Sequence, residues 1–203
     1  MVVRLMQVSA AVLHMSRAAL LRRGVAGGSL LAFPGAAAAA DVPDVDLSFL
    51  RLLVGAELLK ADFQRRAAAS HKLAPSAASL FARTGADDRA HYAGLAALLK
   101  GAGQTPATPE DIDFSYPRGS FGSQKAIVTL ASKLARVTLG GYLGAVENVQ
   151  TAQLRRPLGQ IAANEAQQVS ALAQLLGRPP VGGAFAETLQ IDAVSTALDA
   201  YES

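Results

Sequence analysis

Four stretches of this chain repeat apolar side chains every three or four residues, each for about 20 to 27 residues, and little but turns separates them. They cover residues 47–71, 76–100, 124–150 and 157–176. Lys72 to Pro75 is a short turn, whereas Gly101 to Gly122 holds four Gly and three Pro and shows no helical period. A structureless run of that length inside a compact domain calls for a reason. A helix of ~25 residues is ~37 Å long, and 22 extended residues reach up to ~70 Å. The run is therefore long enough to return along a bundle, so that the third helix starts at the opposite end from the second. The pattern predicts an all-α four-helix bundle with one long crossover between helices 2 and 3. Phe114, Tyr116 and Phe121 would pack that crossover down. A short last helix, about Ile191 to Tyr201, docks outside.

Composition agrees. Alanine is abundant, aromatics are 5%, Trp is absent and β-branched runs are scarce, which favours closely packed helices over a sheet. Asp46 is the expected N-cap of helix one, Ser123 of helix three, and Pro157 the first-turn residue of helix four. Gly140, Gly141 and Gly144 suit close packing of helix three, within the bundle or across a homo-oligomer interface.

Residues 1–40 differ from the rest. Arg22-Arg23 precede an apolar stretch from Gly24 to Pro34 and a small-residue zone from Ala36 to Ala40, and no acid occurs before Asp41. This pattern resembles a twin-arginine export signal, complete even if Met15 is the true start. The apolar run is shorter than the ~20 residues a membrane-spanning helix needs, so cleavage is expected to leave no stable membrane span. The expected division is 1–40 as signal and 41–203 as bundle, with export machinery as a partner and the periplasm, cell envelope or extracellular space as destination. Four of the nineteen Lys and Arg lie in residues 1–40, which leaves fifteen against sixteen acids. The mature part thus offers no basic surface for nucleic acid. Without Cys there are no disulfides, lipid anchor or thiolate chemistry. There is also no phosphate-cradling Gly loop and no Ser/His/Asp set.

The informative feature is a group of ionisable residues on the apolar stripes. Glu57 lies on that of helix one, read as Leu50, Leu53/Val54, Glu57, Ala61 and Gln64/Arg65. Asp88 and His91 share one face of helix two at i, i+3, and Glu165 and Gln168 repeat the spacing on helix four. An unpaired buried carboxylate is costly, so these groups should meet one another, a cation or a metal.

Leu53 to Phe63, Asp87 to Leu99, Gly140 to Ala145 with Tyr142, and Asn164 to Gly177 resemble the bacterial exported ferritin-like family related to plant desiccation-related proteins. The resemblance spans about residues 46 to 200. It implies a ferritin-like bundle whose carboxylates and two E-x-x-H pairs hold two iron or manganese ions. Under it Glu57 is the helix-one carboxylate, Asp88 replaces a Glu before His91, and Glu165 is the helix-four carboxylate. Gln168 then stands where the second His belongs, and the helix-three carboxylate falls on Ala135. Glu147, twelve residues further on, lies ~18 Å away along the helix and cannot substitute.

A di-metal site so depleted is degenerate, and an envelope binding or stress-related role without di-iron catalysis is expected, with no resident cofactor. In that reading His91 and Gln168 join the carboxylates in a metal-free polar network. The alternative is one Fe, Mn or Zn ion bound by Glu57, Asp88, His91 and Glu165, for metal storage or oxidoreductase chemistry, with Gln168 and Tyr142 nearby. Arg155-Arg156 read as a surface loop pair before helix four.

Overall fold

The computed structural model describes residues 42–202. The expected signal over residues 1–40, with its alternative start at Met15, lies outside the described residues. Five helices follow in order: α1 Asp44–Ala69, α2 Pro75–Gly101, α3 Gln124–Asn148, α4 Ala152–Leu175 and α5 Ile191–Asp199. The first four form the bundle as two antiparallel hairpins, α1 with α2 and α3 with α4, joined by the crossover. None of the described helices is long and apolar enough to cross a membrane.

Local chemistry sets the helix ends. Pro75 opens α2 at its first turn, where a missing N–H costs nothing. The Ser123 hydroxyl accepts from the Ala126 N–H and caps α3. Gly103, with φ 71°, closes α2: its N–H reaches the Lys100 carbonyl and that of Gln104 the Leu99 carbonyl. Gly177, with φ 66°, repeats this after α4, using the Gln174 and Ala173 carbonyls. Both positions need the left-handed backbone that glycine adopts without strain.

Three expectations need correction. Asp46 is not the N-cap of α1, which begins at Asp44 after Pro43. Asp46 is fully buried, and its carboxylate accepts from the N–H groups of Gln150 and Thr151. It therefore satisfies the chain just ahead of α4. Helix α4 accordingly starts at Ala152, five residues before Pro157. Proline at its sixth position lies past the four orphan N–H groups of the first turn, so it removes one intrahelical bond, to the Gln153 carbonyl. Arg155 and Arg156 thus belong to α4, though both are exposed.

The glycine-rich face of α3 is covered by this chain's own C-terminal segment. A methyl group on Gly140 would lie 2.6 Å from the Leu189 side chain, and one on Gly144 2.1 Å from the Leu189 carbonyl oxygen. The Leu189 N–H donates to the Gly140 carbonyl. Gly141 faces Val194, through which α5 docks on α1 and α3.

The crossover is held as its aromatics suggest. Phe63, Tyr116 and Phe121 pack with ring centroids 5.3–5.6 Å apart, and Tyr201 stands 6.0 Å from Tyr116. Tyr116 donates to the Asp62 carboxylate, and the Ser115 N–H to the Tyr201 carbonyl. Two apolar clusters fill the bundle. One is built around Leu50, Leu53, Leu95, Leu99 and Leu158, the other around Phe63, Phe81, Ile127, Leu134 and Leu172. In each of α1, α2 and α4 the polar stripe residues fall in sequence between the members of the two.

Candidate metal centre and its internal cation

That polar layer is buried. Glu57, Asp88 and Glu165 have no exposure, His91 retains 6% and Gln168 4%. Each helix delivers its groups by helical spacing: Glu57 from α1, Asp88 and His91 at i, i+3 from α2, Glu165 and Gln168 at i, i+3 from α4. One ligand atom from each of Glu57, Asp88, His91 and Glu165 lies within 4.8 Å of the others. His91 Nδ1 stands 3.3 Å from Glu165 Oε1 and 3.4 Å from Glu57 Oε1. Gln168 donates its amide to Asp88 Oδ1 at 3.1 Å, and also faces Asn164. Tyr142 donates to Glu57 Oε1 at 2.6 Å. Its long side chain leans toward the N-terminus of α3, which aims the hydroxyl a turn below its own Cα.

Helix α3 supplies no carboxylate. Ala135 is buried in the second apolar cluster, and Glu147 is exposed.

Sequence reasoning missed the residue at the centre. Lys60, on α1, is 4% exposed. Its Nζ stands 2.6 Å from both oxygens of Glu165, 2.8 Å from Asp88 Oδ1 and 3.6 Å from Glu57 Oε2. The signal was present: Lys60 follows Glu57 by three residues and precedes Gln64 by four, so it shares their face. Reading Ala61 as the inward residue of that turn passed it over.

The charges explain the arrangement. Burial works against the Lys60 ammonium, but Glu165, Glu57 and Asp88 outweigh it and hold the proton above the ordinary lysine range. Burial likewise opposes the His91 charge, and the Glu165 and Glu57 carboxylates facing its Nδ1 at 3.3 and 3.4 Å overcome it, raising His91 from 6.5 to about 9. Burial pushes Asp88 up from 3.8 to about 6; Lys60 pulls it down, while Glu57 and Glu165 add to the rise. For Glu165, Lys60 and His91 outweigh burial and lower its pKa. Burial, then the nearby Glu57, lifts the Tyr142 phenol well above 10. Three carboxyl groups therefore face two cationic side chains, with Asp88 pushed up to about 6.

A model of the ferritin-like domain matches residues 45–178. The chain belongs to the ferritin-like domain family. No curated protein matches it.

By residue type and separation, the cluster of this ferritin-like protein could hold one metal ion. Two ions fit the donor set poorly, because the cluster comprises three carboxylates and one imidazole and α3 adds no further ligand to it. The Lys60 ammonium also competes with any single ion. It already takes both Glu165 oxygens and Asp88 Oδ1 at hydrogen-bond distance, and a protonated lysine has no lone pair to give a metal. Those oxygens keep further lone pairs, but an ion bound to them would sit beside the ammonium, and the two positive charges would repel across a buried site.

Proposed function

We propose that this ferritin-like chain is an exported, envelope-located protein that has given up di-metal redox chemistry and acts in binding, in a stress-related role. The observation that carries the loss of redox chemistry is the position of Lys60 Nζ between Glu165, Asp88 and Glu57. An internal ammonium supplies there the positive charge that a metal would otherwise bring, and it offers neither open coordination positions nor a redox couple. That α3 sends no carboxylate into the cluster, and that Gln168 offers an amide, support the same reading. Export is supported by Arg22-Arg23 and the apolar, acid-free stretch that follows. The stress-related role rests on the resemblance to desiccation-related proteins alone.

Elemental analysis of protein purified without chelator, after incubation with Fe(II), Mn(II) or Zn(II), tests this. Well under one metal per chain is expected, with no acceleration of Fe(II) oxidation by air. One transition-metal ion per chain that disappears in His91→Ala would instead establish a single-metal protein. That second reading is favoured by the convergence of the four ligand atoms and by Asp88 Oδ2, which is buried without a hydrogen-bond partner.

A further inference from the structure

Away from the buried cluster, the crossover stands off the α1–α2 hairpin and leaves a cavity of about 550 Å³, within the size range of small-molecule sites. Leu58 and Tyr92 form its helical wall, and Ile112 and Phe114 close it from the crossover. The roof is fixed: Tyr92 donates its hydroxyl to the Ala107 carbonyl, and Arg66 donates to the Phe114 carbonyl at 3.0 Å. A ligand would therefore enter a preformed space and would not have to order a loop.

Charge is distributed unevenly around this apolar space. Arg65, Arg66 and Arg89 border it, against Asp62 and Asp113. Asp62 is already shared, because Arg65 and Arg66 both pair with it and Tyr116 donates to it. Arg66 is committed further, with its guanidinium 5.2 Å from the centre of the Tyr116 ring. Arg89 forms no hydrogen bond or ion pair among the described residues, and it sits on α2 beside the apolar wall. Three guanidinium groups against two carboxylates leave one positive charge in excess. A planar guanidinium with free donors matches a carboxylate or sulfonate in a two-point hydrogen bond.

We propose that this cavity binds a small amphipathic monoanion, its apolar body between Tyr92, Ile112 and Phe114 and its acidic head on Arg89. This gives the binding role a site, and it stands whether or not the buried cluster takes a metal.

Calorimetric titration of the full chain with decanoate, at concentrations below micelle formation, tests it, with decanol as the uncharged control. Saturable one-site binding of decanoate is expected, with decanol at least about tenfold weaker. Arg89→Gln should weaken decanoate binding by about tenfold, a loss of about 1.4 kcal/mol, without changing the affinity for decanol. Ile112→Trp, which fills the cavity, should abolish both while the thermal midpoint stays unchanged. Equal binding of decanol and decanoate, or indifference to Arg89→Gln, overturns the anion assignment. Failure of the unmodified chain to bind either ligand, or binding that survives Ile112→Trp, overturns the site.

Discussion

Replacing Lys60 with alanine isolates the role of the internal cation. In the folded protein its ammonium is the close partner of Glu165 and Asp88, at 2.6 and 2.8 Å, and a third carboxylate lies at 3.6 Å. Removing one member of a buried ion pair typically costs ~3–5 kcal/mol, because the remaining charge stays desolvated. Here three carboxyls would keep His91 as their one cationic neighbour among the described residues, besides the neutral donors Gln168 and Tyr142, so the upper half of that range applies. Against a total stability of about 5–15 kcal/mol, this is a large fraction. At roughly 2–4 °C per kcal/mol for a domain of this size, the thermal midpoint should fall by roughly 8–20 °C. The same change vacates the space among four ligand atoms that lie within 4.8 Å of one another. Mn(II) or Zn(II) should then bind at one ion per chain and recover part of the lost stability. At one hundred times the dissociation constant the gain is about 2.7 kcal/mol. Thermal melts with and without metal, paired with elemental analysis, read both effects. A Lys60→Ala protein that melts like the unmodified chain would refute the ion-pair argument. One that is destabilised yet gains nothing from any divalent metal would refute the latent centre.

Three further outcomes are expected. His91 holds its proton more tightly folded, at about 9, than unfolded, at 6.5. Its stabilisation is therefore complete below pH 6.5 and is lost as pH rises through about 9, on the order of 3 kcal/mol; denaturant midpoints from pH 6 to 9.5 should show the decline, and His91→Gln should flatten it. Tyr142→Phe leaves Glu57 Oε1 without its 2.6 Å donor and should cost ~1–3 kcal/mol in chemical denaturation. Gly144→Ala places a methyl group against the Leu189 carbonyl; a loss of ~1–3 kcal/mol and faster proteolytic cleavage near residues 187–190 should follow.

Most of the fold was legible because long helices with one buried face write their period into the chain. The crossover could be read from a length argument, and Tyr116 and Phe121 pack on Phe63 of α1 as an aromatic-bearing strap should. The helix ends were less legible where the partner is remote. Asp46 looks like a cap for its own helix because a local window cannot contain Gln150 and Thr151, the groups it serves. Pro157 looks like a first residue because proline usually is, yet the buried Asp46 anchors the chain earlier. The glycines of α3 announced a close approach without saying what approaches, since the segment around Leu189 has no period to reveal it. At the cluster, the carboxylates and His91 stood out because acids and imidazoles on apolar stripes are unusual. Lys60 did not, because a lysine is normally solvated, and only the meeting of α1, α2 and α4 shows that this one has three carboxylates around it.

The crossover pairs with a segment made much later in the chain, around residues 201–202. Phe114 bridges to Glu202, and the Ser115 N–H is satisfied by the Tyr201 carbonyl. During synthesis, residues 201–202 emerge after every other element they touch. Both helical hairpins can therefore form on the ribosome while the strap between them is still unlatched. The strap can close only once that later segment has been made, so a break ahead of residue 201 would leave the crossover without this latch.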